Sequence, residues 1–158
     1  MAIRRIGQIF VDMGFIDDDQ LEMLLEEQQQ QPGEKLGKIA EEMGLITDDQ
    51  LAQALAEQMN LQVINLAEAK IPQHTLEQVS DTMAQLYRVI PVRFDQGELT
   101  VATAEPQNLA VADELRTFLG YTIRLVVTTE REIKQAMDRY YNTAGESVES
   151  IISELEDD

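Results

Sequence analysis

The 158-residue sequence contains no cysteine, no tryptophan and a single histidine, His74. Without thiols the chain has neither a disulfide framework nor a thiolate metal site, and we expect it in the cytoplasm. Basic residues are also scarce, with 12 against 30 acidic residues and a net charge of −18. A field of this sign repels nucleic acids and anionic lipid surfaces, which excludes general binding to either of them.

Long hydrophobic runs and catalytic motifs are missing as well. The sequence therefore predicts no membrane-spanning helix, and it contains no Gly-rich phosphate loop, HExxH, CxxC or GxSxG pattern. His74 follows Pro72 in a predicted loop, where a surface or capping role is the commoner one. Apolar residues make up 44% of the chain, as in an ordinary globular protein. We expect no catalytic residue, no metal site and no enzymatic activity of the chain itself.

What the sequence does contain is an internal repeat with a period of thirty residues, which aligns residues 5–28 with residues 35–58. Glycines, apolar residues and glutamines recur in register. The identical pairs are Gly7/Gly37, Ile9/Ile39, Met13/Met43, Gly14/Gly44, Ile16/Ile46, Asp18/Asp48, Asp19/Asp49, Gln20/Gln50, Leu21/Leu51, Leu25/Leu55, Glu27/Glu57 and Gln28/Gln58. Apolar residues at helical spacing before and after the second glycine of each copy predict two helices joined by a tight turn.

The second helix of each copy begins with a predicted capping box. Asp17 and Thr47 supply the N-cap side chain, and a glutamine follows three positions later. The acidic run 17–19 complements the positive end of the helix dipole and lacks the glycine and distal glutamate of a calcium loop, so we interpret it as capping. Four helices in two hairpins are expected over residues 1–60, with a linker at Gln29–Glu34.

Beyond residue 60 the pattern changes to alternating strands and helices. The β-prone runs are Leu61–Leu66, Val89–Phe94, Leu99–Ala104 and Thr122–Thr128, and the helical or amphipathic segments are Thr75–Tyr87, Leu109–Leu119 and a final helix capped by Thr129. The predicted fold is therefore α+β. It consists of a helical subdomain of two repeated hairpins at 1–60, an α+β subdomain with a small sheet at 61–141 and an acidic linker or tail at 142–158. An unpartnered apolar stripe in the tail suggests that the chain is part of a longer protein.

Glycine twice occupies the first turn of a helix, at Gly7 and Gly37, although it costs about 0.8–1.0 kcal/mol there relative to alanine. One interpretation is a helix-packing contact. The other is a ligand site, because a glycine bares backbone amides near the positive end of a helix, where a phosphate is received. Arg5 could then stack on a purine and Gln28 could pair with a base edge. The residues alone leave both interpretations open.

The repeat Arg5-Ile6-Gly7-x-x-Phe10, closing at Gln28, and its second copy from Lys35 to Gln58 together resemble the tandem 24-residue motif of the MshEN domain. The second half is similar to the same family at Ile71-Pro72, at residues 87–92, at Glu105-Pro106 and at Tyr140-Tyr141. In that family the domain lies at the N-terminus of type II secretion and type IV pilus assembly ATPases.

This resemblance implies a receptor for cyclic di-GMP, bound as a regulatory ligand rather than as a cofactor. Arg5 would stack on a guanine, Gln28 would hydrogen-bond to it, and leucines of the motif would form an apolar surface beneath the ligand. The expected ligand-binding residues are Arg5, Ile6, Gly7, Leu21, Leu25, Gln28, Lys35, Leu36, Gly37, Leu51, Leu55 and Gln58. The two-fold symmetry of a cyclic dinucleotide suits a duplicated motif.

The resemblance also implies partners. These are a C-terminal hexameric ATPase domain of the same protein and the inner-membrane platform proteins of a pilus or secretion machine, so the domain would lie in the cytoplasm, peripheral to the inner membrane. The full-length protein would be an ATPase and this domain its regulator. The alternative is an adaptor that docks the ATPase onto the membrane assembly proteins and binds no nucleotide.

Overall fold

The computed structural model describes residues 5–141. Within this range the chain forms eight helices and one three-stranded mixed sheet, so the predicted α+β class is confirmed. We refer to residues 5–60 as the helical subdomain and to residues 61–141 as the α+β subdomain; the boundary between them stays a prediction. The predicted tail at 142–158 lies outside the described residues.

The helical subdomain consists of two helical hairpins. Their helices are α1 (Ile6–Asp12), α2 (Asp18–Gln30), α3 (Leu36–Glu42) and α4 (Asp48–Met59). Each hairpin turns at a glycine of positive φ, 79° at Gly14 and 74° at Gly44, a conformation that glycine adopts without steric cost. The first helix of each hairpin packs on the second helix of the other, α1 on α4 and α3 on α2. This pattern is the one expected if an approximate twofold axis relates the two hairpins.

The capping boxes form as predicted. The Asp17 side chain accepts a hydrogen bond from the Gln20 backbone N–H at 2.7 Å, and the Gln20 side chain accepts one from the Asp17 N–H at 2.9 Å. Thr47 and Gln50 repeat the arrangement in α4. The predicted linker at Gln29–Glu34 is wrong at its first two positions, which continue α2, because glutamine is a good helix former and the chain breaks only as it approaches Pro32 and Gly33.

The α+β subdomain packs four helices around the sheet. Its elements are α5 (Gln73–Leu76), α6 (Asp81–Tyr87), β1 (Val89–Asp95), β2 (Glu98–Thr103), α7 (Leu109–Leu119), β3 (Thr122–Val127) and α8 (Glu130–Tyr140). The strand order is β1-β2-β3. β1 and β2 are antiparallel and joined by a two-residue turn at Gln96-Gly97, both with positive φ, as in a type I′ hairpin. β3 runs parallel to β2 because α7 carries the chain back across the sheet.

Two predicted elements of the α+β subdomain differ in the structure. Leu61–Leu66 forms no strand and makes only a single bridge, between Val63 and Val127, because the chain then turns where the Asn65 side chain accepts a hydrogen bond from the Ala67 N–H at 3.0 Å. The amphipathic segment Thr75–Tyr87 is split into α5 and α6. Ser80 begins the second of these helices by accepting a hydrogen bond from the Met83 N–H.

The two subdomains have separate cores and meet at one small apolar contact. Ile9, Phe10, Leu24 and Ile39 are fully buried among the four helices, whereas a larger cluster surrounds the sheet. Between these clusters, one face of α4 packs against Val127 at the end of β3. This contact places the second hairpin, rather than the first, against the sheet.

Candidate functional site

A cavity of about 790 Å³ opens between the second helical hairpin and the α+β subdomain. Its volume lies within the usual range for small-molecule sites. Eight of the twelve predicted ligand-binding residues line it: Ile6, Gln28, Lys35, Leu36, Gly37, Leu51, Leu55 and Gln58. All six predicted residues of the second repeat are therefore brought together, but only two of the first repeat.

The other four predicted residues lie off the cavity. Arg5 is the exposed N-cap residue of α1, and Gly7 is buried inside the helical subdomain. Leu21 packs against the core of that subdomain, and Leu25 is 43% exposed on α2. The motif of the first repeat is consequently split between the cavity, the core and the outer surface.

Gly7 and Gly37 each contact a leucine of the same repeat. A Cβ atom at Gly7 would lie 2.6 Å from Leu21 Cδ1, and one at Gly37 would lie 2.5 Å from Leu51 Cδ1. Real Cβ contacts of that length do not occur, so the two glycines allow the leucines to pack directly on the helix backbone. This geometry supports the packing interpretation at both positions. At Gly37 the packed leucine is also part of the cavity lining.

Eleven cavity-lining residues fall outside the repeated motif and were not predicted. Four come from the second hairpin and seven from the α+β subdomain: Lys38, Glu41, Asp48, Ala52, Ala104, Glu105, Gln107, Thr128, Thr129, Glu130 and Arg131. One sequence signal pointed to them. Where α2 has Glu22 and Glu26, α4 has Ala52 and Ala56, and these small residues mark the helix that a second surface covers.

Three ion pairs, formed by two cationic side chains, join the subdomains beside the cavity. Lys35 Nζ lies 2.7 Å from Glu105 Oε1. The Arg131 Nε–H donates to Asp48 Oδ2 at 3.0 Å, and Arg131 Nη2 lies 3.9 Å from Asp49 Oδ1. Such exposed pairs contribute no more than about 1 kcal/mol each, so they orient the facing surfaces more than they hold them together.

The cavity is acidic on balance. Its described lining contains four carboxylates, of Glu41, Asp48, Glu105 and Glu130, and three cationic side chains. Burial raises the pKa of Glu41 above its ordinary value, and the nearby charges of Asp48 and Glu130 raise it further. An anionic ligand therefore depends on well-placed cations to enter.

Glutamines mark the ends of both repeats at the cavity. Gln28 donates from Nε2 to the Glu34 carbonyl oxygen at 3.3 Å, which ties the end of α2 to the linker. Gln58 lies at the corresponding place near the end of α4. An amide offers both a donor and an acceptor, the pair that a base edge requires.

Other kinds of site find less support. Over residues 5–141 no group of three or more His, Asp or Glu side chains is placed to hold a metal ion. His74 is an exposed residue of the short helix α5. In the same part of the chain, no helix has the length and apolar character needed to cross a membrane.

The chain is similar to a known family, to a curated protein and to solved structures. The MshEN domain model matches residues 59–147, and the chain belongs to that family. It is 32% identical over 154 residues to the type IV pilus assembly ATPase PilB of Myxococcus xanthus (strain DK1622); the alignment covers 98% of this chain and 27% of that protein. The chain thus spans about a quarter of the length of this relative.

Solved structures share the fold. The structure of MshE with cdg superposes with a TM-score of 0.79 at 27% identity, over 87% of this chain and 99% of that one. The N-terminal domain of XpsE shares the fold with a TM-score of 0.70 at 21% identity, over 89% of this chain and 99% of that one. The family match, the relative at 32% identity and these two structures together confirm the resemblance inferred from the repeat.

Proposed function

We propose that this chain is the regulatory domain of a type IV pilus assembly or type II secretion ATPase, and that it binds cyclic di-GMP in the cavity between its subdomains. The observation that carries the proposal is the convergence of all six predicted ligand-binding residues of the second repeat on one cavity of about 790 Å³. The similarity to MshE, whose structure contains cdg, supports the same ligand.

The apolar part of the cavity suits the flat faces of nucleobases. Ile6, Leu36, Leu51 and Leu55 line it, and a purine that lies on these side chains removes apolar surface from water at about 25 cal/mol per Å². Gln58 would hydrogen-bond to a base edge. Gln28 would do the same once it gives up its long hydrogen bond to the Glu34 carbonyl.

Charged residues at the ends of the motif would complete the site. Lys35 would contact the ligand after leaving Glu105, and Arg5, next to Ile6 in the chain, would meet the part of the ligand that extends beyond the cavity. Gly7, Leu21 and Leu25 stay predicted ligand-binding residues of the first repeat.

Regulation would follow from the position of the cavity. Because both subdomains line it, a bound ligand contacts both and favours one relative position of the two. A ligand shifts such an equilibrium only by its difference in affinity between the two arrangements. The proposed recipient of the shift is a hexameric ATPase domain of the same protein, in the cytoplasm beside the inner-membrane platform proteins.

Isothermal titration calorimetry of the purified 158-residue chain with cyclic di-GMP tests this function. We expect selective binding with a Kd of about 1 μM or tighter, equivalent to roughly −8 kcal/mol, and none for GTP or cyclic di-AMP. Gln58→Ala should weaken binding, whereas Gln53→Ala, an exposed change on the same helix, should not. An absence of heat at ligand concentrations of about 1 mM would reject the nucleotide function.

Docking without nucleotide is the second candidate, and two exposed apolar side chains favour it. Leu86 on α6 is 69% exposed and Phe118 on α7 is 68% exposed, the kind of surface that protein partners cover. Binding of a purified platform protein to the chain, lost in Phe118→Ser and kept in Gln58→Ala, would establish docking independently of the nucleotide. A nucleotide-hydrolysis assay on the same preparation tests the expectation that the chain itself has no enzymatic activity.

A further inference from the structure

Arg131 of the α+β subdomain supplies a guanidinium to a cavity whose motif residues come from the helical subdomain. We infer that Arg131 binds a phosphodiester group of the nucleotide, which makes the α+β subdomain part of the ligand site. This inference rests on the proposed function and names a residue outside the repeated motif.

The guanidinium is already oriented. Its Nε–H donates to Asp48 Oδ2 at 3.0 Å, and Nη2 lies 3.9 Å from Asp49 Oδ1. These contacts raise the pKa of Arg131 above its ordinary value, and the hydrogen bond to Asp48 is the main cause. A guanidinium carries five N–H donors in a fixed plane, so it can donate to a carboxylate on one edge and to a phosphate on another. Because the side chain is ordered before the ligand binds, binding carries a smaller entropic cost for fixing it.

The other cations of the cavity are less suited to this role. The ammonium of Lys35 lies 2.7 Å from Glu105, on a flexible side chain that does not fix the direction of its donors. Lys38 is exposed on α3, and an ammonium is a compact charge without the paired donors of a guanidinium. Among the described residues that line the cavity, Arg131 carries the only guanidinium.

The charge of the ligand makes such a contact necessary. Cyclic di-GMP brings two negative phosphodiesters into a cavity with four carboxylates. At the effective dielectric of a protein surface, two like charges about 4 Å apart repel by roughly 4 kcal/mol. A cation that stays paired with Asp48 while it contacts a phosphate offsets this repulsion on both sides. The corresponding Asp18 of the first repeat lies away from the cavity.

The test compares cyclic di-GMP affinities of four chains by calorimetry, with thermal unfolding as a check on folding. We expect Arg131→Ala to weaken binding about tenfold or more and Arg131→Lys to recover only part of that loss, because an ammonium keeps the charge but lacks the paired donors of a guanidinium. Arg124→Ala is the matched control, since Arg124 is an exposed arginine of β3 that lies 3.8 Å from Glu98, and it should bind like the wild type. Equal affinities of wild type and Arg131→Ala, or equal losses in Arg131→Ala and Arg131→Lys, would overturn the inference.

A second variant separates ligand contact from the joining of the subdomains. Asp48→Asn weakens the ion pair but keeps the guanidinium, and the capping box of Thr47 and Gln50 remains to begin α4. We expect Asp48→Asn to bind cyclic di-GMP at least as tightly as the wild type, because one carboxylate has left the cavity. A loss as large as that of Arg131→Ala would show that the pair acts only as a clamp and would overturn the inference. If the wild type binds no cyclic di-GMP, the proposed function fails and this inference fails with it.

Discussion

The two repeats are identical at twelve of their twenty-four aligned positions, and they have different environments. In the second repeat, Leu55 is 8% exposed and every predicted ligand-binding residue reaches the cavity; in the first, the corresponding Leu25 is 43% exposed and the motif is split. The hairpins themselves fold alike, with the same glycine turns and capping boxes. The motif therefore specifies a hairpin. The cavity forms at the second copy, which the α+β subdomain covers.

Small residues decide which copy is covered. Ala52 and Ala56 let α4 approach Val127, whereas Glu22 and Glu26 keep the same face of α2 in water. A carboxylate buried against apolar atoms costs several kcal/mol unless it finds a partner, so the first repeat cannot take the place of the second. Each of the first three predictions below changes one repeat and uses the equivalent position of the other as its control.

The largest expected effect comes from giving α4 a charge that α2 carries. Ala56→Glu places a carboxylate at a position that is 4% exposed beside Val127, and we expect a loss of about 3 kcal/mol in unfolding free energy. Urea denaturation measures it. The reciprocal change Glu26→Ala, on an exposed face, should stay within about 0.5 kcal/mol. Equal effects at the two positions would contradict the difference between the repeats.

Removing the repeated leucine should have the next largest effect. Leu55→Ala is expected to lower the unfolding free energy by about 2–3 kcal/mol, because the side chain is buried in the contact with the α+β subdomain. For Leu25→Ala we expect less than about 1 kcal/mol, since much of that side chain is already in water. Chemical denaturation of both variants measures the two losses, and a larger loss at Leu25 would argue against the model of a covered second repeat.

Alanine at the repeated glycines should separate stability from binding. At Gly7 a Cβ meets both Leu21 and Leu36, and we expect a net loss of about 1–2 kcal/mol from overpacking. At Gly37 the three nearest atoms all belong to Leu51, which can move into the cavity, so stability should change by less than about 1 kcal/mol. Cyclic di-GMP affinity should fall in Gly37→Ala, because the displaced leucine takes up cavity space. An unchanged affinity there would speak against the cavity as the ligand site.

The smallest effect concerns pH and Glu41, which stands where the first repeat has Val11. Its pKa is raised above the ordinary 4.5, so the folded chain holds this proton more tightly than the unfolded chain. The resulting stabilisation is present below pH 4.5 and is lost as the pH rises through the raised pKa. We therefore expect the wild type to lose stability relative to Glu41→Gln over that window, by no more than about 0.5 kcal/mol because solvent screens the group. Denaturation at a series of pH values tests this, and a gap independent of pH would contradict it.

Most of the fold could be predicted because its signals are local. Glycine turns, capping boxes and apolar periodicity indicated the four helices of the repeat, and Gly97 and Gly120 marked the ends of elements in the sheet region. The predicted elements were wrong where contacts between residues distant in the sequence determine the secondary structure. Leu61–Leu66 has strand propensity but meets only one residue of β3, and propensity in strands depends strongly on the neighbours available.

The candidate site was less predictable because seven of its nineteen described lining residues come from segments 70 or more residues away in the chain. Lys35 meets Glu105, and Asp48 meets Arg131, through a docking that no local pattern encodes. The motif treats its two copies equally, so by itself it predicts two equal half-sites. The alanines of α4 were visible in the sequence, but their meaning depends on a partner surface that only the folded chain provides.

Helix α8 connects the cavity to the segment that joins α5 and α6. Its first turn, at Glu130 and Arg131, lines the cavity, and about 15 Å away its far end is followed by Tyr141, whose hydroxyl lies 3.0 and 3.1 Å from the carbonyl oxygens of Leu76 and Val79. A hydrogen-bonded helix of this length transmits displacement along its axis with little bending. A ligand that displaced Arg131 along the helix axis would therefore also displace the loop between α5 and α6.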